Sequence, residues 1–343
     1  MKLKKIIPML LAALFLLNIC SVGAFGGYAD IVKDLGAAEL NFVDGIGPET
    51  KECVLDYKYF SPVKNNDTTK YPLVIWLQGQ GDNESPGAQL GGSDIVAWAT
   101  DEMQHRFKDA QGAFIFVPRA PGDGWKKDFV EPLKATLDDF IEKNKNNIEL
   151  TRIYLGGYSL GGWMSFNIAA LYPEMFAAIF VACPALRLTK DVAEGIADIP
   201  IWITSGKNDI AVNYYTRVKP TWNKILSNTN IPEQCRLSTL SKATYPDGNL
   251  TGYGHSSWYA INYDMFSSQD GDYPRMSTID GRGNTVKLTY PDGMISWLSE
   301  FKSNYDGSGG TGSENAEDEN TTIADFFKNI MRYIKNFFAK LFI

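Results

Sequence analysis

The sequence predicts an α/β fold in which a mostly parallel central sheet carries helices on both faces. Short apolar runs typical of strands recur along the chain, helical stretches separate them, and glycine-rich loops follow several of the runs. Parallel strands need a crossover connection, usually a helix, so this alternation favours βαβ units. Because such folds bind ligands outside the carboxyl ends of their strands, we expect the functional residues there.

The 343 residues, 44% of them hydrophobic, suffice for one large domain with short extensions. The predicted strands are 54–60, 73–77, 113–117, 152–155, 177–181 and 201–204, and the predicted helices are 129–145, 163–170, 213–227 and 294–302. A polar stretch rich in glycine and aspartate, 267–292, interrupts the approach to the last helix. It is either an insertion at the rim of the functional site or surface decoration.

The first 24 residues have the pattern of a secretory signal peptide. Three lysines stand within the first five residues, 6–19 is apolar, and small residues precede a cleavage point after Ala24. The apolar run is shorter than the roughly 20 residues of a transmembrane helix. Lipidation at Cys20 is disfavoured because Ile19 stands where a small residue is expected. The sequence therefore predicts a secreted protein whose main domain is 25–302.

The most informative motif is Gly-Gly-Tyr-Ser-Leu-Gly-Gly at 156–162, between a predicted strand and a predicted helix. Gly157 and Gly161 stand two residues either side of Ser159, as in the G-x-S-x-G turn that exposes a nucleophilic serine. Only small residues fit beside so sharp a turn. Ser159 is therefore the candidate nucleophile, and the backbone N–H of Leu160 is a candidate oxyanion donor.

A nucleophilic serine needs a base and a group that orients the base. Of the two histidines, His105 lies in a polar-faced helical segment and is expected to be solvated, whereas His255 lies in a glycine-rich loop downstream of the serine. The chain order serine, acid, histidine favours His255 as the base. Asp209, in the loop after the strand at 201–204, is the candidate acid, with Asp264 as the best rival carboxylate.

The loop that follows the strand at 73–77 reads Gln-Gly-Gln-Gly-Asp. A second oxyanion donor usually comes from the loop after an early strand. The backbone N–H of Gln80 is our candidate, and the alternative is a plain glycine turn that ends the strand.

Three tryptophans, Trp125, Trp163 and Trp258, lie beside the proposed catalytic loops. Flat aromatic rings offer apolar area with little rotamer entropy, so they could form an acyl or sugar-stacking pocket. The alternative is core packing, which is favoured for Trp163 inside the helix after the serine.

Signal-peptide cleavage leaves Cys53, Cys183 and Cys235. Three thiols allow at most one disulfide, which an exported protein could form, and the alternative is three buried thiols. Cys183 ends an apolar strand and is expected to be buried.

Together these motifs resemble the α/β-hydrolases over about 50–302. The resemblance rests on the Gln78-Gly79-Gln80-Gly81 loop, the Pro118-Arg119-Ala120-Pro121 turn leading to Trp125, the Ser159 motif, the Gly206-Lys207-Asn208-Asp209 loop and Gly254-His255-Ser256-Ser257-Trp258. Within that superfamily the chain resembles secreted esterases of the polyhydroxyalkanoate depolymerase and feruloyl esterase type, and peptidases similar to prolyl oligopeptidase. These families usually carry His-Gly where this chain has Gln78-Gly79.

The sequence thus predicts a secreted serine hydrolase acting on carboxylic esters, including feruloyl or acetyl esters of polysaccharides. The alternatives are a serine peptidase, which uses the same acyl-transfer machinery, and a non-catalytic binding module on a hydrolase scaffold. A net charge of −7 without a basic stripe disfavours a nucleic-acid partner. Neither phosphate-binding glycine motifs nor Cys/His clusters of metal-ligand spacing occur, so we expect no cofactor and no metal.

The carboxyl-terminal segment has a different composition. Residues 303–321 read as a flexible, acidic linker, and 322–343 as an amphipathic helix with basic residues on its polar side. Such a helix binds a membrane surface, binds a partner or folds back on its own domain. Its apolar positions are Ile323, Phe326, Phe327, Ile330, Ile334, Phe337, Phe338 and Leu341.

We expect the helix at 322–343 to bring the chain to anionic membranes, because each basic residue near such a surface contributes about 1 kcal/mol. Sedimentation with anionic liposomes should recover the mature chain in the pellet and leave a chain ending at Lys302 in solution. Equal partitioning of the two chains would contradict the membrane interpretation.

Overall fold

The computed structural model describes residues 28–65, 67–81, 85–91, 94–243, 254–266, 276–289 and 293–307. The predicted signal peptide, 1–24, and the predicted amphipathic helix, 322–343, lie outside these residues. In the described part, nine strands form one sheet in the order β1-β2-β4-β3-β5-β6-β7-β8-β9. The strands are β1 (Val43–Ile46), β2 (Asp56–Phe60), β3 (Tyr71–Leu77), β4 (Phe114–Pro118), β5 (Ile148–Tyr158), β6 (Ala178–Ala182), β7 (Ile201–Gly206), β8 (Arg236–Leu240) and β9 (Met276–Asp280).

Six neighbouring strands, from β4 through β8, run parallel. β1 and β2 are antiparallel additions at one edge, and β9 is an antiparallel addition at the other. The α-helices are α1 (Tyr28–Leu40), α2 (Ala88–Gly91), α3 (Asp101–His105), α4 (Val130–Asn144), α5 (Leu160–Leu171), α6 (Lys190–Gly195), α7 (Lys219–Leu226), α8 (Trp258–Asn262) and α9 (Met294–Leu298).

The central strands are buried on both faces. Every residue of β3, β4, β6 and β7 is buried, as expected of parallel strands that helices cover on both sides. Phe180 on β6 stacks with Trp76 and with Trp98, whose ring centroids are 5.7 and 5.4 Å away. These strands therefore form the rigid base from which the loops at their carboxyl ends project.

All six predicted strands are present, and three further strands were missed. β1 is short and largely exposed, so it carries no apolar pattern. β8 contains buried polar residues whose hydrogen bonds replace apolar contacts: Ser238 Oγ lies 2.8 Å from Trp202 Nε1 and 2.7 Å from Thr278 Oγ1. β9 lies inside the polar stretch 267–292, where its residues add an edge strand to the sheet.

Two predicted boundaries differ from the structure. The predicted helix at 213–227 begins with a π-helical turn at Tyr214–Val218 before α7, and the predicted helix at 294–302 ends at Leu298. The linker predicted from residue 303 is wrong at its start, because Ser303 donates its N–H to Thr151 O and the aromatic Tyr305 is buried. Among the described helices, none combines the length and hydropathy needed to cross a membrane.

The turn from β5 into α5 presses against the end of β3. A Cβ atom on Gly161 would lie 2.0 Å from Leu77 O, and one on Gly157 would lie 2.7 Å from the same oxygen. Contacts under 3 Å to backbone atoms cannot be relieved by a side-chain rotation, so both positions require glycine.

Gly161→Ala should therefore lower the free energy of unfolding by about 3 kcal/mol, because overpacking at a rigid backbone contact forces the helix off the sheet. Gly36→Ala in α1 is the matched control, since a Cβ there meets nothing within 4 Å. That control should raise stability by up to about 1 kcal/mol, the helix-propensity gain of alanine over glycine. Chemical denaturation measures both variants, and parental stability of Gly161→Ala would contradict the packing account.

Candidate functional site

The three candidate triad residues occupy loops at the carboxyl edge of the sheet. Ser159 directly follows β5, Asp209 lies in the loop after β7, and His255 precedes α8. Because β5, β6 and β7 are adjacent and parallel, their carboxyl ends meet at one edge. The sheet order thus brings to one place side chains that are far apart in sequence.

Ser159 has a strained backbone. Its φ of 54° and ψ of −118° lie outside the regions that non-glycine residues usually adopt, and such conformations typically cost about 1 to 3 kcal/mol. The N–H of Ser159 donates to Ala182 O at 3.0 Å, and its carbonyl accepts from Trp163 N at 3.1 Å and from Ala185 N at 2.9 Å. These bonds to β6 and α5 hold the serine in the strained turn.

Leu160 is the first residue of α5, a helix of 12 residues. The first N–H groups of a helix have no acceptor within it, and the helix dipole places partial positive charge at this end. The candidate oxyanion donor at Leu160 therefore lies where a developing negative charge would be stabilised.

His255 is paired with Asp209: Nδ1 and Oδ2 lie 2.7 Å apart, and both side chains are buried. The other carboxylate oxygen of Asp209 accepts from Ala211 N at 2.9 Å and Val212 N at 2.8 Å, which fixes the orientation of the carboxylate. The sequence offered a turn aspartate bonded to its own backbone as the alternative for Asp209, and the carboxylate makes these bonds as well as the pair with His255.

The rival carboxylate is engaged elsewhere. Asp264 forms a buried ion pair with Arg106, with Oδ2 3.3 Å from Nη1, and its Oδ1 accepts from Met294 N. It therefore ties α3 to the start of α9. The other histidine, His105, is exposed at the end of α3, as the sequence predicts.

The pKa of His255 is raised well above its usual value. Burial by itself lowers that pKa, but the adjacent Cys183 sulfur and the Asp209 carboxylate raise it and together prevail. A carboxylate beside the imidazole favours the imidazolium form, which is the form a general base takes after it accepts a proton.

Cys183, Asp209 and His255 bring their donor atoms within 4.8 Å of one another. All three side chains already form hydrogen bonds: His255 Nδ1 lies against Asp209 Oδ2, and the Cys183 thiol donates to His255 O at 3.2 Å. The set therefore fits an acid–base pair with a supporting thiol better than a metal centre. Cys53, Cys183 and Cys235 are all free thiols, and Cys183 is buried as expected.

Gln78 supports the loop that carries the second candidate oxyanion donor. With its amide oriented to satisfy both partners, Gln78 donates to Pro118 O at 2.8 Å and accepts from Ala120 N at 2.7 Å. The backbone carbonyl of Gln78 accepts a hydrogen bond from the indole N–H of Trp125 at 3.0 Å. Gln78 thus joins the loop after β3 to the loop after β4, at the position where the families that the sequence resembles usually carry histidine.

Gln80 and Leu160, the two candidate donors, flank one glycine. A Cβ on Gly124 would lie 3.3 Å from Leu160 Cδ1 and 3.8 Å from Gln80 Cα. The φ of Gly124 is 117°, a conformation that favours glycine. Gly124 therefore lets the loop after β4 pass close to the Leu160 side chain and the Gln80 backbone, a role the sequence did not indicate.

The proposed substrate contact of Trp125 is wrong. Its side chain is 0% exposed and its indole N–H is bound to Gln78, so no ring face is open to a ligand. Trp163 and Trp258 are buried too, at 7% and 8% exposed. Trp258 stands edge-on to the His255 ring with centroids 5.4 Å apart and packs on Tyr158 at 4.5 Å, so it braces the imidazole.

Several known proteins that this chain is similar to are esterases. Residues 56–243, more than half of the chain, match a family model described as "Putative esterase". The chain is 23% identical over 234 residues to the bifunctional acetylxylan esterase/xylanase XynS20E of Neocallimastix patriciarum, a match that covers 67% of this chain and 31% of that protein. It therefore spans about a third of the length of that relative.

A crystal structure described as a thermostable esterase superposes with a TM-score of 0.55 at 22% identity, covering 78% of this chain and 64% of that chain. This likeness shows the fold, which is the α/β-hydrolase fold that the motifs predicted. The mostly parallel sheet with antiparallel strands at its edges agrees with it.

Asp209→Asn should lower the pKa of His255, because it removes the negative charge that stabilises the imidazolium. The chain has only two histidines, so NMR of histidine-labelled protein resolves the His255 ring against an internal reference, His105. The titration midpoint of His255 should lie at lower pH in Asp209→Asn than in the parental chain. The His105 signals should be the same in both proteins. An unchanged His255 midpoint would show that Asp209 does not set its charge.

Proposed function

The chain belongs to this esterase family of α/β-hydrolases, and on that premise we propose that it is a serine hydrolase that cleaves carboxylic esters. The observation that carries the proposal is the buried Asp209–His255 pair, 2.7 Å between Oδ2 and Nδ1, at the same sheet edge as the strained Ser159. A paired imidazole and a serine on a sharp turn are the parts that acyl transfer requires.

In the first half-reaction Ser159 Oγ attacks the ester carbonyl carbon, and His255 Nε2 accepts the serine proton. The carbonyl π electrons move to oxygen, which becomes the oxyanion of a tetrahedral intermediate. Collapse of the intermediate breaks the bond to the alcohol oxygen, and the imidazolium returns the proton to that leaving group. An acyl-serine and a free alcohol result.

In the second half-reaction water attacks the acyl-serine and gives its proton to His255 Nε2. The new tetrahedral intermediate expels Ser159 Oγ, which recovers the proton, and the carboxylic acid leaves. Asp209 keeps the imidazole in the tautomer with Nδ1 protonated and stabilises the imidazolium in both halves. Its two backbone donors from Ala211 and Val212 support this role, because they keep the carboxylate aligned with the ring.

The oxyanion is proposed to bind the backbone N–H groups of Leu160 and Gln80. Leu160 begins α5 and so presents an N–H at the positive end of a helix. Gln80 lies in the loop that Gln78 and Trp125 brace. Loss of one such donor typically costs about 3 kcal/mol of transition-state stabilisation.

For the substrate we propose acetyl or feruloyl esters of polysaccharides. The name of the Neocallimastix relative, an acetylxylan esterase/xylanase, supports this class. The signal-peptide pattern of 1–24 supports export, where such polymers are found, and the basic amphipathic pattern of 322–343 supports attachment to a membrane surface.

Ser159→Ala should abolish hydrolysis of p-nitrophenyl acetate with a loss of about 10⁶-fold in kcat, since it removes the attacking oxygen. His255→Ala should be equally damaging. His105→Ala is the matched control and should keep parental kcat, because its side chain is exposed on α3. Near-parental activity of Ser159→Ala would contradict the whole mechanism.

A substrate panel tests the substrate class separately. The parental chain should release acetate from acetylated xylan, or ferulate from feruloylated arabinoxylan, faster than it cleaves long-chain acyl esters or small prolyl peptides. Preference for lipid-length acyl chains or for peptides would contradict the polysaccharide proposal while leaving the serine mechanism in place.

A further inference from the structure

One buried side chain touches the site without a part in the proposed acyl transfer. Cys183 is fully buried and directly follows β6. Its φ of 38° is uncommon for any residue other than glycine, and it precedes Pro184, which further restricts its backbone. A residue held in such a conformation by its surroundings often marks a functional constraint.

The contacts of Cys183 connect both halves of the site. Its thiol donates to His255 O at 3.2 Å, and its N–H donates to Thr204 O at 2.8 Å on β7. The preceding residue, Ala182, accepts the N–H of Ser159 at 3.0 Å. Two consecutive residues at the end of β6 therefore hold the backbones of the nucleophile and of the base.

The other hydrogen bonds of the histidine loop, the loop that carries His255, do not duplicate the bond made by the Cys183 thiol. Ser257 N donates to His255 O at 2.8 Å, a bond within the loop itself, and Thr204 Oγ1 donates to Ser257 O at 3.4 Å, two residues further along. The Cys183 thiol instead joins the backbone of His255 directly to the sheet. Its sulfur also lies in the cluster with the Asp209 carboxylate and the His255 ring, within 4.8 Å.

We propose that Cys183 is a positioning residue for His255: its thiol anchors the histidine backbone to the end of β6 and so keeps the imidazole aligned with Asp209 and Ser159. The kinetic consequence rests on the proposed hydrolase function, whereas the alignment of His255 with Asp209 does not. Because S–H is a weak donor, this hydrogen bond improves the alignment of His255, and the stronger bond to Asp209 remains the main contact of the ring.

The alternative is a thiol that only fills core volume. Cys235 provides the matched control, since it is equally buried and lies in the same domain, with its sulfur 3.9 Å from Thr229 Oγ1 and away from His255. Removing either sulfur leaves a cavity of similar size. Only loss of the Cys183 sulfur should change the alignment of the His255 imidazole with Asp209.

The first measurement is NMR of the histidine-labelled full chain. With two histidines in the sequence, the hydrogen-bonded Nδ1 proton of His255 gives a downfield signal, and His105 serves as reference. Cys183→Ala should broaden that signal or move it upfield, Cys183→Ser should restore it because the hydroxyl is a donor, and Cys235→Ala should leave it unchanged. His105 should be constant throughout.

The second measurement is ester hydrolysis by the same variants. Cys183→Ala should lower kcat about tenfold at unchanged KM. The variant loses the hydrogen bond that aligns His255, and a bond of that strength corresponds to about a tenfold change in rate. Cys183→Ser should recover most of the rate, and Cys235→Ala should match the parent. If the alanine variant does not fold, Cys183→Gly replaces it in both measurements, since glycine adopts positive φ without strain.

A parental His255 signal in Cys183→Ala overturns the inference, as does an equal change in Cys235→Ala. Failure of the serine variant to restore the signal overturns it as well. If the parental chain cleaves no ester, the proposed function fails, and the NMR comparison alone decides whether Cys183 positions His255.

Discussion

The close approach of the Ser159 turn to the end of β3 is the constraint on which the rest of the site depends. Gly157 and Gly161 both face Leu77 O at distances where no Cβ fits. This contact fixes where α5 begins, and hence where Ser159 and Leu160 lie relative to the loop after β3. The strain at Ser159 persists because backbone bonds on β6 and α5 hold it from both sides.

The base is held by a separate set of contacts. Gly206 and Gly254 let the loop after β7 pack on the histidine loop, since a Cβ on Gly206 would lie 2.2 Å from Gly254 O. Asp209 and Cys183 then fix the ring and the backbone of His255. Burial lowers the pKa of the His255 imidazole, whereas the Asp209 carboxylate and the adjacent Cys183 sulfur raise it, and the net direction is upward.

Sequence reasoning found the features that depend on local pattern. The Ser159 turn and the central strands could be predicted because glycine spacing and apolar runs are visible in one stretch of chain. It missed β8, whose buried Ser238 is satisfied by partners on other strands, and it misplaced Trp125, which looked like a ligand contact but supports Gln78. The contacts that Gln78, Gly124 and Cys183 make could not be predicted either, because their partners lie far along the chain.

The central claim is that Ser159 is a nucleophile activated by its surroundings. The most direct measurement is reaction of the native chain with a fluorophosphonate, in which the serine oxygen displaces fluoride from phosphorus, followed by digestion and mass spectrometry. The account predicts one label per chain, on Ser159, and none in the unfolded chain. Absence of label from the native chain, or label on another serine, would contradict it.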